Sequence, residues 1–121
     1  MLVCLGGGIG AGLRHLTNLG AARLLGISFP WGTFTVNLVG SLAMGFITGW
    51  IAQRVSGSQE LRLFLATGIL GGFTTFSAFS LDTVTLWERG DVTTAATYVL
   101  ASVIGAILCL FAGLWLARSV F

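Results

Sequence analysis

Four apolar stretches, at residues 2–25, 33–51, 61–86 and 94–116, fill nearly all of the 121 residues. Each is close to the ~20 residues an α-helix needs to cross a hydrocarbon core about 30 Å thick. The connections between them are short and carry the turn-forming residues: Gly26, Ser28 and Pro30, then residues 53–60, then residues 88–91. No room is left in these residues for a soluble domain. With 8% charged residues and a mean hydropathy of +0.96, the composition falls outside the soluble globular range. The expected fold is therefore all-α: one domain over residues 1–121 with four transmembrane helices. The start does not read as a cleaved signal peptide, because Arg14 and His15 follow a glycine-rich apolar opening rather than a basic one.

Within the third stretch, GGFTTFSAFS (residues 71–80) places two glycines, two threonines and two serines at membrane depth. Irregular backbone there is tolerated only where it is buried in protein or borders water. Residues 61–70 read as ordinary helix, and Gly71 and Gly72, poor helix formers followed by the β-branched Thr74 and Thr75, are expected to break it. A break exposes carbonyls on one flank, which suit a hard cation such as Na⁺, and N–H groups on the other, which suit an anion. Phe76 and Phe79 follow at spacing three, on nearly one face. Such a pair is usually packing, but beside a break its ring edges, which carry partial positive charge, can meet an anion. Ser77 and Ser80 repeat the spacing.

The other stretches carry uncharged polar faces. Asn37 and Ser41 share a helical face with Thr33. This stripe either hydrogen-bonds between helices or offers donors to something passing through. Tyr98 and Ser102 make a similar pair in the fourth stretch, where Tyr98 reads equally as an interfacial aromatic or as part of a polar track. Asp82 is the one carboxylate within reach of membrane depth, and is expected near an interface. In the first stretch Gly6 and Gly10, and Gly8 and Gly12, form interleaved small-residue pairs that read as helix packing. Arg14 either draws anions into a vestibule or anchors the helix at the interface. Cys4 and Cys109 show no metal spacing and read as small apolar residues.

There is no Lys, and the six Arg divide evenly in a four-span arrangement: Arg54, Arg62 and Arg118 on the amino-terminal side, Arg14, Arg23 and Arg89 on the other. Orientation follows the Lys and Arg excess of cytoplasmic loops, so a balanced count allows insertion both ways up. Two oppositely inserted chains would pair as a closed dimer. No P-loop, G-x-S-x-G, H-E-x-x-H or paired-carboxylate motif occurs, so the chain is not expected to be an enzyme, and it lacks the basic soluble surface of a nucleic-acid binder.

The segments GGGIGAGLRH, WGTFTVNLVGSLAMG and GGFTTFSAFS, in that order over four short spans, resemble the bacterial fluoride channel family called Fluc or CrcB. The resemblance covers nearly the whole chain. It implies a passive fluoride exporter of the cell inner membrane, working as an antiparallel dual-topology homodimer with two pores and a structural Na⁺ at the centre of the dimer interface. On this resemblance the carbonyls of Gly71 and Thr74 would hold the Na⁺. Fluoride would pass Asn37, Phe76, Phe79, Tyr98 and Ser102, with Arg14 in the vestibule, and the uncharged hydroxyl donors Ser77, Thr75 and Thr33 of the polar faces are expected on the same path. Ala78, His15 and Ala106 depart from the pattern, where Thr, an aromatic residue and Ser are common. The rival from another class is a small dual-topology drug or cation exporter coupled to protons, which needs a carboxylate in the first span, and none is there. A structural subunit without transport would explain the glycines but not the aligned polar faces.

Overall fold

The computed structural model describes residues 1–53 and 59–120. Arg54, one of the six arginines counted above, lies outside the described residues. The chain forms four long helical segments. The first is α1 (Leu2–Leu25) and the second α2 (Trp31–Gln53). The third is compound: α3 (Gln59–Arg62), a wide π-helical stretch (Leu63–Leu70), α4 (Gly71–Phe73), two extended residues and α5 (Phe76–Glu88). The fourth is α6 (Val92–Val120). Gly26 and Gly90, both at φ 84°, supply the left-handed turns that follow α1 and α5. Among the described residues, α2, the third segment and α6 are long and apolar enough to cross a membrane. The glycines of α1, together with Arg14 and Arg23, leave it less apolar than these three.

Close backbone contact at glycine joins the segments, as expected where lipid removes the hydrophobic drive for helices to associate. Between α2 and α6, a Cβ on Gly113 would meet the Leu42 carbonyl oxygen and lie 2.7 Å from the Phe46 nitrogen. On the facing helix, a Cβ on Gly45 would meet the Leu110 carbonyl. Gly6 and Gly10 of α1 press in the same way on the wide stretch, whereas Gly8 and Gly12 have nothing within 4 Å. Only one of the two interleaved small-residue faces is thus used inside the chain. An aromatic and aliphatic core of Phe79, Leu86, Ala95 and Tyr98, with Phe29, Phe34 and Val99 against it, ties α5 to α6 and to the start of α2.

Two expectations for the third segment are corrected. Residues 61–70 are not ordinary helix: the helix widens over Leu63–Leu70, and the Gly71 N–H donates to the Ala66 carbonyl five residues back as well as to that of Gly68. The glycines are not the break either, since Gly71 and Gly72 are helical and the interruption falls at Thr74 (φ −83°, ψ 158°) and Thr75 (φ −154°, ψ 125°). The physical reason is division of labour. Gly72 is needed for approach, because a Cβ there would lie 2.5 Å from the Gly7 carbonyl oxygen. The β-branched threonines take the extended backbone they favour.

Candidate functional site

The break is held open by side chains. Asn37 of α2 accepts from the Thr75 N–H (2.9 Å) through Oδ1 and donates to the Thr75 carbonyl (3.1 Å) through Nδ2, a two-point clamp on one extended residue. The Thr75 hydroxyl caps α5 by accepting from the Ala78 N–H at 3.2 Å. These bonds divert the two N–H groups that would serve Gly71 and Thr74 in a continuous helix. Both carbonyl oxygens therefore lose their helical donors. The Thr74 hydroxyl donates back to the Leu70 carbonyl at 3.0 Å, so it too is spent.

One cavity borders the break and a second lies beyond it along α5. The first, of about 280 Å³, is lined by Asn37, Ser41, Thr75, Phe76, Phe79 and Ser102, among others, and has no charged residue in its wall. Ser102 is 5% exposed, and its hydroxyl has no hydrogen-bond partner. That is an unusual state, since a buried unsatisfied hydroxyl costs about 1–3 kcal/mol. The clamp uses one of the two Asn37 amide hydrogens, leaving the other for the cavity. Phe76 and Phe79 stand with ring centroids 5.6 Å apart, Phe79 buried and Phe76 77% exposed.

The other cavity, of about 350 Å³, opens where α1 and α5 end and α2 begins, and its wall includes Asn18, Thr33, Ala78, Asp82, Thr85 and Arg89. Tyr98 stands between the two. It is fully buried, donates to Asp82 Oδ2 at 3.1 Å, and packs on Phe29 of the larger cavity (5.3 Å, edge to face) and Phe79 of the smaller (5.1 Å). The Thr33 hydroxyl reaches the same phenol.

The structure brings together Asn37, Thr75, Phe76, Phe79 and Ser102, and places Thr33 and Tyr98 one step further along. The polar stripe of α2 is shared between the two cavities. Ser77 faces outward, tied to the sequence only by a long 3.5 Å contact with the Thr75 hydroxyl. Arg14 is half-buried on α1, outside both cavity walls. Sequence reasoning missed Asn18 and Arg89 as wall residues and the pairing of Asp82 with Tyr98. The signals available were that Asn18 lies one turn beyond Arg14, and that Asp82 is the one acidic residue on the inner part of α5.

As a donor set, the freed carbonyls of Gly71 and Thr74 fit a hard cation, which takes neutral oxygen ligands without a carboxylate. Among the described residues no cluster of His, Cys, Asp or Glu competes as a metal site. Gly71 is exposed on the single chain.

Fold and site together define a small multi-helical membrane protein whose third segment is interrupted beside an uncharged, donor-lined cavity. The family model described as "CrcB-like protein, Camphor Resistance (CrcB)" matches residues 1–114, and the chain belongs to that family. Relatives named "Fluoride-specific ion channel FluC" agree over almost the full length. The one from Mesorhizobium japonicum is 66% identical over 119 residues, 98% of this chain and 95% of the relative. That from Chelativorans sp. is 64% identical over 120 residues (99% and 96%), and that from Hyphomonas neptunium 55% over 122 residues (100% and 96%).

Proposed function

We propose that this chain is a passive, fluoride-selective channel of the bacterial inner membrane that lets fluoride leave the cytoplasm. The observation that carries the reading is the orphaned Ser102 hydroxyl facing a cavity without charge. Fluoride is small and strongly hydrated, so it enters a narrow seam only by exchanging water for several close donors. Ser102, the free Asn37 amide hydrogen and the first N–H groups of α5 are such donors, and Phe76 and Phe79 offer ring edges beside them. Binding by dispersed neutral donors is weak at each point, which favours throughput. Thr33, Tyr98 and the larger cavity lie one step further along, with the Tyr98 hydroxyl donated to Asp82. Ser77, as a hydroxyl donor in the interrupted segment, and Arg14, through the family resemblance, are assigned to this path, although neither lines the two cavities.

The working unit is an antiparallel dual-topology homodimer in which all four segments, α1 included, cross the bilayer. Phe76 and Gly71 are exposed on one chain, and a second copy would cover them. The balanced arginines permit both orientations. A structural Na⁺ held by the carbonyls of Gly71 and Thr74, each supplied twice, would satisfy oxygens that otherwise cost several kcal/mol each in lipid. When bound it would supply positive charge and link the two copies.

Purified protein in liposomes is expected to give fast, electrogenic fluoride efflux with little chloride flux and no response to a pH gradient. Flux that required a proton gradient would favour the exporter reading instead. A well-folded dimer without flux would leave only a structural role.

A further inference from the structure

The wide stretch Leu63–Leu70 needs an explanation that its own residues do not give. LFLATGIL holds three Leu and one Ala, which favour the α-helix, beside Phe, Thr, Gly and Ile, which are weaker helix formers but do not specify a wider turn, and long π-helical runs are rare and concentrate near functional sites. The wide register is therefore imposed from outside. The element packed along it is α1, and the contact is backbone on backbone. A Cβ on Gly6 would lie 2.6 Å from the Phe64 carbonyl oxygen and 2.9 Å from both the Gly68 Cα and the Ile69 nitrogen. A Cβ on Gly10 would overlap the Ile69 carbonyl and lie 2.8 Å from the Phe73 nitrogen. Gly6 and Gly10 thus touch the stretch near its start, at Phe64, and near its end, at Gly68 and Ile69, and Gly10 also meets Phe73 just beyond it.

We infer that Gly6 and Gly10 are positioning residues for the cation site: they hold Leu63–Leu70 in the wide register and so set where the Gly71 and Thr74 carbonyls point. The inference rests on the cation reading given above. A run of five-residue hydrogen-bonded turns carries more chain between its ends than an α-helix does. Relaxation by one residue would turn everything after it by about 100° and slide it about 1.5 Å. An oxygen ligand displaced by that much no longer faces the ion. The clamp from Asn37 to Thr75 would be pulled in the same movement, so the cation site and the wall of the small cavity share one register. Gly8 and Gly12, on the same helix with nothing within 4 Å, are the built-in controls.

The test uses the full chain reconstituted in lipid, with ¹³C-carbonyl and ¹⁵N threonine. Thr-Thr pairs occur only at Thr74–Thr75 and Thr93–Thr94, so the Thr74 carbonyl resonance can be followed as Na⁺ replaces a large organic cation. In the unaltered chain this resonance is expected to shift and saturate. Gly6→Ala and Gly10→Ala are expected to raise the Na⁺ concentration at half-saturation by about tenfold or more, and Gly8→Ala and Gly12→Ala by less than about twofold. Gly68→Ala alters the stretch rather than α1, with a Cβ 3.0 Å from the Gly6 Cα, and is expected to follow Gly6→Ala. Assembled Gly6 and Gly10 variants with an unaltered Na⁺ response would overturn the inference while leaving the cation site standing. Failure of all three to assemble, with the Gly8 and Gly12 variants intact, would also overturn it, as a packing role only. An unaltered chain whose Thr74 carbonyl ignores Na⁺ would instead refute the cation reading and the inference with it.

Discussion

Replacing Asn37 by Ala removes both ends of the clamp on Thr75. Neither Thr75 backbone group then has its side-chain partner in a half-buried setting. A neutral hydrogen bond contributes about 1 kcal/mol net, and a buried group left unsatisfied costs about 1–3 kcal/mol. The Thr75 carbonyl keeps the possibility of its helical bond within α5, so the N–H carries most of the loss. A total of about 2–4 kcal/mol follows, or roughly 30- to 1000-fold in the equilibrium for opening the break. The direct assay is amide exchange at Thr75 in the reconstituted protein, read beside fluoride efflux from the same liposomes. Thr75 exchange is expected to quicken by that factor while amides in the centre of α6 stay protected, and flux is expected to fall sharply. Asn37→Asp is the informative companion. Its carboxylate still accepts from the Thr75 N–H but cannot donate to the Thr75 carbonyl, so it should lie between Ala and the original in exchange. It also adds a negative charge to the cavity wall and should suppress flux at least as strongly as Ala. Unchanged exchange at Thr75 in Asn37→Ala would refute the clamp, and wild-type flux in Asn37→Asp would remove Asn37 from the ion path.

Ser102→Ala is expected to separate stability from conduction: loss of an orphaned buried hydroxyl should leave the protein equally stable or more stable by about 1 kcal/mol, while fluoride efflux drops. A destabilised variant with full flux would contradict this. The two phenylalanines should also part company. Phe79→Ala, removing a ring 8% exposed and tilted against Tyr98, should cost about 3–5 kcal/mol in denaturant titration, whereas Phe76→Ala, at 77% exposure on one chain, should cost far less within the chain and act on the proposed contact with a second copy, and Phe76→Ile and Phe79→Ile should both lower flux. Gly113→Ala forces a Cβ against the Leu42 carbonyl and should cost about 1–3 kcal/mol; Gly12→Ala, which meets nothing, should be silent in the same titration.

The long helical segments were legible in hydropathy alone, because segment length and apolar content are local properties. The helices observed exceed the expected stretches by no more than a few residues, as at Trp31–Gln53 against 33–51. The interruption was legible too, since GGFTTFSAFS has too many weak helix formers to continue. Its position was not. Glycine signals both a break and a close approach, and the choice at Gly72 is made by Gly7, more than sixty residues away in sequence. Asn37 stood out as a polar residue in an apolar span, but its partner lies in another segment, so its spacing could not separate a clamp from a donor to a passing ion. The widened register of Leu63–Leu70 left no trace in the sequence, because hydropathy does not record which carbonyl an N–H finds. Tyr98 and Ser102 were paired correctly as one helical face. That Tyr98 would spend its hydroxyl on Asp82 depended on how α5 is set against α6.

The contact of α1 with the wide stretch also has a consequence for biogenesis. α1 leaves the ribosome first, yet the surface that receives Gly6 is made roughly sixty residues later. At synthesis rates of about 5–20 residues per second, the least apolar of the four helices waits some 3–12 s for its partner. On the proposed dual topology, neither its own hydropathy nor an arginine imbalance would commit it to one side during that interval. In the dual-topology reading proposed above, a late partner for the first helix would leave time for either orientation.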